Sequence, residues 1–188
     1  NGIENIELED IKMVSKLNYR IKLLGITEII NNKLFERVHP SLVKRDNYIG
    51  NINGVMNAII LEGKPVGQSI LQGEGAGPGA TSSALMSDLL SILRGNIKYP
   101  FGIPFNKRNK VDPYDKNKYL NSLYLRLQVK DKPGVLSSIT KIFAKNRISI
   151  KNLIQNPDKK NNKASLIIIT HQNFEKNYDN LFKNLSKN

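Results

Sequence analysis

The chain has no cysteine and no tryptophan, only two histidines, and 16 acidic residues against 29 basic ones. Without cysteine there is neither a disulfide nor a thiolate to serve as nucleophile or metal ligand. No stretch approaches the roughly 18 consecutive apolar residues of a membrane-spanning helix, so no membrane partner is expected. The start, Asn1-Gly2-Ile3-Glu4, has neither an initiator Met nor the basic-then-apolar pattern of a secretory leader. The expectation is a cytoplasmic piece of a longer protein. Its 188 residues leave room for one medium domain or two small ones. His39 has no carboxylate at ligand or triad spacing, so it is expected to be packed or to lie at an interface, and no metal site is expected.

A formal net charge of +13 raises the question of nucleic acid. The bases are nevertheless spread along the chain. Only Lys107-Arg108-Asn109-Lys110 and Lys159-Lys160-Asn161-Asn162-Lys163 form local clusters, and neither has flanking aromatics on which bases could stack. A solvated basic surface explains them, and no nucleic-acid partner is expected. The alternative predicts salt-dependent affinity for arbitrary DNA.

The most informative stretch is 66–91. An apolar run suited to a strand stops at Gly73, glycines follow at 75, 77 and 79, and Ala84, Leu85, Leu89, Ile92 and Leu93 then recur at helical spacing. Glycine lets another backbone or a ligand come close, Pro78 suits a helix's first turn, and Thr81, Ser82 and Ser83 offer hydroxyls to free N–H groups. Such a helix start favours anions, so one reading is a loop against a phosphate- or ribose-bearing ligand. Gly75 to Ala80 fits G-x-G-x-x-A, but no acid stands near position 100 and no compact βαβ unit follows. The other reading is a tight strand-to-helix turn without a ligand.

Ahead of this stretch, residues 7–17 pattern as an amphipathic helix led by acids, and 20–30 as a strand. Asn31-Asn32 turns the chain into a hairpin partner, 33–38, expected to end at His39-Pro40. A further strand lies within 51–62. The first half is thus expected to be α+β, a mostly antiparallel sheet covered by helices at 8–17 and 79–93. From 96 to 118 the apolar period is lost, and a connector is expected whose two Tyr and two Phe pin it to one domain. Beyond it, strand 123–129, turn 131–134, helix 135–146, strand 148–154, strand 164–170 and helix 174–185 give β-α-β-β-α, one strand short of the ferredoxin-like order. The expected domains are 1–97, a connector 98–119, and 120–188.

Asp131-Lys132-Pro133-Gly134-Val135-Leu136, Ile139-Thr140 and Ile148-Ser149-Ile150 resemble the start of an ACT domain, a regulatory module of amino-acid metabolism. Gly2-Ile3, Ile21-Lys22-Leu23-Leu24, Val38-His39-Pro40, Asn57-Ala58, Gly73-Glu74-Gly75-Ala76-Gly77, Thr81 and Asp88-Leu89 resemble, in order and spacing, the C-terminal two-thirds of bacterial homoserine dehydrogenase. The resemblance implies reduction of aspartate semialdehyde to homoserine with NADPH or NADH, on the route to threonine and methionine. It puts the Rossmann domain, and the catalytic Asp and Lys, upstream of Asn1, so no catalytic residue is expected here. It assigns Gly73, and with less direct correspondence Gly75 and Gly77, to the cofactor, and His39 to a subunit interface in a homodimer or higher oligomer. For the ACT unit it suggests threonine as effector, with Asp131, Gly134, Asn152 and Gln155 as partners. The alternative is a non-catalytic amino-acid-binding or oligomerisation module.

Overall fold

The chain begins with a helix whose charges suit its dipole. In the computed structural model, which describes residues 3–96, 98–99, 102–158 and 161–186, α1 spans Leu8–Lys16, with Glu9 and Asp10 in its first turn and Lys16 in its last. Asn1, Gly2, Lys159 and Lys160, named above, and Phe101, one of the two connector phenylalanines, lie outside the described residues. Strands β1 (Tyr19–Ile30) and β2 (Lys33–Lys44) pair antiparallel over their whole length. Asn31 and Asn32 join them with φ of 50° and 59°, which matches the right-handed twist of a hairpin.

Contrary to expectation, β2 does not stop at His39-Pro40. Pro40 sits in register opposite Leu23, and the strand runs on to Lys44. A two-stranded ribbon has a free side on which the missing proline N–H costs no ladder bond.

Strands β3 (Met56–Gly63) and β4 (Gly67–Glu74) form a second antiparallel ribbon, and α2 (Pro78–Leu93) follows. The pairing is antiparallel as expected, but it is divided between two separate ribbons. Helix cover is half realised. Met13 and Val14 of α1 are buried, whereas α2 buries none of its residues, and its Leu85, Leu89 and Leu93 stay open along with Ile59, Leu61 and Leu71 of the ribbon.

Between the halves, the described connector residues carry 3-10 turns at Phe105–Lys107 and Lys116–Lys118. Tyr114 donates its N–H to Leu34 O at 2.7 Å and sets its ring edge-on to Phe35. Tyr99 and Phe105 remain exposed, so Tyr114, together with Tyr119 at the connector's end, pins the segment to the first ribbon.

The second half has the expected order: β6 (Tyr124–Lys130), α3 (Val135–Lys145), β7 (Ile150–Asp158), β8 (Lys163–Thr170) and α4 (Glu175–Leu185). A short pair, β5 (Leu120–Asn121) with β9 (Asn173–Phe174), closes its base. The sheet order is β6-β8-β7, antiparallel throughout. Ile139, Phe143, Ile148, Leu166, Ile168, Tyr178 and Leu181 form the core between this sheet and its two helices.

Strand β8 is buried on both faces. Leu166 and Ile168 join the helix-side core, while Ile167 and Ile169 face the other way and are equally enclosed. Their cross-strand partners, Arg126 and Tyr124, bond to Asp10, so α1 lies on that back face. The first ribbon touches the second half as well. Phe35 stacks on Tyr119 with ring centroids 3.7 Å apart, and Arg37 makes a two-pronged pair with Glu175, both arms at 3.2 Å.

Phe143→Ala removes a ring that is 1% exposed and is expected to cost about 3–5 kcal/mol, read as a lower urea midpoint. Lys141→Ala, exposed on the same helix, should change stability by less than about 0.5 kcal/mol and leave that midpoint nearly in place.

Candidate functional site

The three singled-out glycines have three different reasons to lack a side chain. Gly73 lies within β4 opposite Asn57, and a Cβ built there meets no atom within 4 Å. Its face of the strand is clear for another molecule. Gly75 packs on its own chain: an added Cβ would fall 1.3 Å from Asn57 Nδ2, and the Gly75 N–H donates to Val55 O at 2.9 Å. Gly77 turns the chain into α2 with φ of 115°, a conformation open to glycine alone at small cost. The hydroxyls expected to cap α2 do not do so. No side chain caps its start, and Ser82 Oγ donates instead to Gly79 O. The loop therefore offers a clear backbone face and an uncapped helix start side by side, which suits a phosphate-bearing or ribose-bearing ligand.

In the second half the turn after β6 borders a hollow of about 410 Å³. Asp131, Gly134 and Gln155 all line it, and Gln155 Nε2 donates to Asp131 Oδ1 at 3.1 Å. Gly134 holds φ of 89° at the start of α3. Asn152 is not brought there. Side chains alternate along β7, so Leu153 and Gln155 share the helix side while Asn152 takes the back of the sheet.

His39 is half-buried on β2, its Nδ1 lying 2.9 Å from Pro40 O and 3.2 Å from Ser41 Oγ. Among the described residues no group of three His, Asp or Glu is placed to hold a metal, and no helix is long and apolar enough to cross a membrane.

Sequence reasoning missed Asp10. It is 3% exposed, and its carboxylate accepts from the Glu7 N–H, the Tyr124 hydroxyl and Arg126 Nε. A signal was present in Leu166-Ile167-Ile168-Ile169, whose unbroken apolar run marks a strand covered on both sides. The electrostatics follow from the docking. Desolvation, then hydrogen bonding to Asp10, pushes the Tyr124 phenol well above its ordinary value. Desolvation and then the hydrogen bond to Glu28 push the Tyr119 phenol up to about 12.

Residues 1–90 match the family model for homoserine dehydrogenase, and residues 123–188 that for the ACT domain. The first half of the chain carries a homoserine dehydrogenase domain and the second half an ACT domain. It is 38% identical to the homoserine dehydrogenase of Helicobacter pylori across 98% of its own length and 43% of the relative's. It is 34% identical to that of Neisseria gonorrhoeae, covering 42% of it. A crystal structure of a homoserine dehydrogenase from Thiobacillus denitrificans superposes with a TM-score of 0.82 at 32% identity, over 99% of this chain and 43% of that one. The chain thus spans less than half the length of these homoserine dehydrogenases, and both its α+β first half and its ACT half lie within the matched part.

An ordinary phenol ionises near pH 10. The raised values of Tyr119 and Tyr124 favour the neutral phenol in the docked state, so their stabilisation is complete below about pH 10 and is lost as pH rises, for Tyr119 through about 12. An ultraviolet titration should show a late phenolate phase that Tyr119→Phe diminishes. A single phase at the ordinary pH, unchanged by the substitution, would count against the docked arrangement.

Proposed function

We propose that this chain supplies the glycine-loop and regulatory parts of an NAD(P)H-dependent homoserine dehydrogenase that reduces L-aspartate 4-semialdehyde to L-homoserine. The observation that carries this reading is the family match over both halves, joined to the clear face at Gly73. The residues fit a dinucleotide as neighbours rather than as its main holders. Gly73 leaves room for close approach, Gly75 seats the loop on Asn57, and Gly77 aims the uncapped start of α2. When bound, the nicotinamide supplies the hydride. In this chain no residue takes the proton-transfer role, which belongs to the Asp and Lys that the resemblance puts upstream.

The hollow beside Asp131, Gly134 and Gln155 is the proposed seat of an amino-acid effector, threonine by the family resemblance. An ammonium group would compete with Gln155 for the Asp131 carboxylate. Asn152, on the back of the sheet where α1 docks, takes no part in this seat. The apolar residues left open on α2 and on the β3–β4 ribbon support assembly into a homodimer or larger oligomer.

The test uses the full-length protein and follows NADPH oxidation with aspartate semialdehyde. Gly73→Val puts a branched side chain into open space on a strand, so the fold should keep its melting temperature. The KM for NADPH should rise about tenfold or more, about 1.4 kcal/mol of lost binding. Gly77→Ala, strained at φ of 115°, should instead lower the melting temperature. Wild-type kinetics in Gly73→Val would remove the loop from the cofactor's side. A folded full-length protein without turnover would favour the non-catalytic regulatory module.

A further inference from the structure

Asp10 joins two structures at one carboxylate. Its Oδ2 accepts the Glu7 N–H at 2.9 Å and so closes the first turn of α1. Its Oδ1 accepts the Tyr124 hydroxyl at 2.6 Å and Arg126 Nε at 2.9 Å, both from β6. The other arm of Arg126 reaches the Glu7 carboxylate at 2.7 Å. Capping of α1 and docking of the ACT sheet are therefore one network.

The strand that supplies it is committed on both faces. Leu125, Leu127 and Val129 pack toward the helix-side core, while Tyr124 and Arg126 alternate with them and face α1. The same strand runs straight into the turn that carries Asp131 and Gly134, so the hollow and α1 are linked by one short piece of packed strand. Close packing makes such a strand move as a unit.

We infer that the ACT unit controls the order of the first turn of α1 through β6 and Asp10, so that occupancy of the hollow is felt at α1. From α1 the effect passes to the segment before it and hence to the reaction centre; this last step rests on the activity proposed above. Two other contacts between the halves, Arg37 with Glu175 and Phe35 with Tyr119, attach to β2 and leave the cap of α1 alone. They supply an internal control.

The experiment follows amide hydrogen exchange in the full-length protein at residues 10–13, where the Ile11 N–H bonds to Glu7 O, with β8 amides reporting the ACT fold. Arg126→Met keeps the apolar stem and removes the donors. It should speed exchange at 10–13 about tenfold or more while β8 stays protected, and Arg37→Met should leave 10–13 as in the wild type. Threonine, the probe for the hollow, should change exchange at 10–13 in the wild type and not in Arg126→Met. Unchanged exchange in Arg126→Met, or an equal rise in Arg37→Met, overturns the inference. So does a threonine response that is alike in both proteins or absent from both. If Arg126→Met also exposes β8, Tyr124→Phe removes one donor, keeps the ring, and is judged on the same amides. Turnover measured in parallel separates the two readings: a wild type without turnover removes the proposed activity, while exchange alone decides the coupling.

Discussion

A single buried carboxylate ties the two halves of this chain together. Asp10 is 3% exposed, and a charge so placed is tolerated only when its lone pairs are answered. A backbone N–H from its own helix, a phenol and a guanidinium from β6 answer them. Charge-assisted bonds of this kind are short and directional, so they fix register as well as proximity. Much of the rest depends on that placement. With α1 held against the back of the ACT sheet, Ile167 and Ile169 are enclosed and the first ribbon is brought to where Phe35 stacks on Tyr119.

The docked part contrasts with the glycine-loop part. The β3–β4 ribbon and α2 bury little, and their leucines and isoleucines face outward on both sides. Apolar side chains at helical and strand spacing are selected to be covered, and within this chain nothing among the described residues covers them. The relatives that match it are more than twice as long. An open surface next to Gly73, where an added side chain would meet no neighbouring atom, is the arrangement expected of a segment that completes a site shared with other parts of a protein.

Much of the architecture was legible because local signals and tertiary outcome agree. Asn31-Asn32 marks a hairpin by conformational preference alone, and the β-α-β-β-α order follows from periods of two and of 3.6 punctuated by Asp131-Lys132-Pro133-Gly134. Pro40 misled, because its effect on a strand depends on whether its empty side meets a neighbour, and pairing partners are not written locally. The amphipathic pattern of α2 told what the helix needs to bury and not whether a partner is present. Asn152 and Gln155 looked like companions on one strand, yet an odd spacing puts them on opposite faces. Asp10 was invisible as a junction because its partners stand 114 and 116 residues away, and a leading acid on a helix has an ordinary local explanation.

The glycine loop beside a dinucleotide, with catalysis supplied from elsewhere in a homoserine dehydrogenase, is the central functional claim. The most direct measurement is a crystal structure of the full-length protein with NADPH bound. The expected map places the dinucleotide in van der Waals contact with the backbone at Gly73, on the face where a side chain would stand, with the start of α2 close to its phosphates or ribose. A dinucleotide bound elsewhere, with the Gly73 face open to solvent or covered by another stretch of polypeptide, would contradict it.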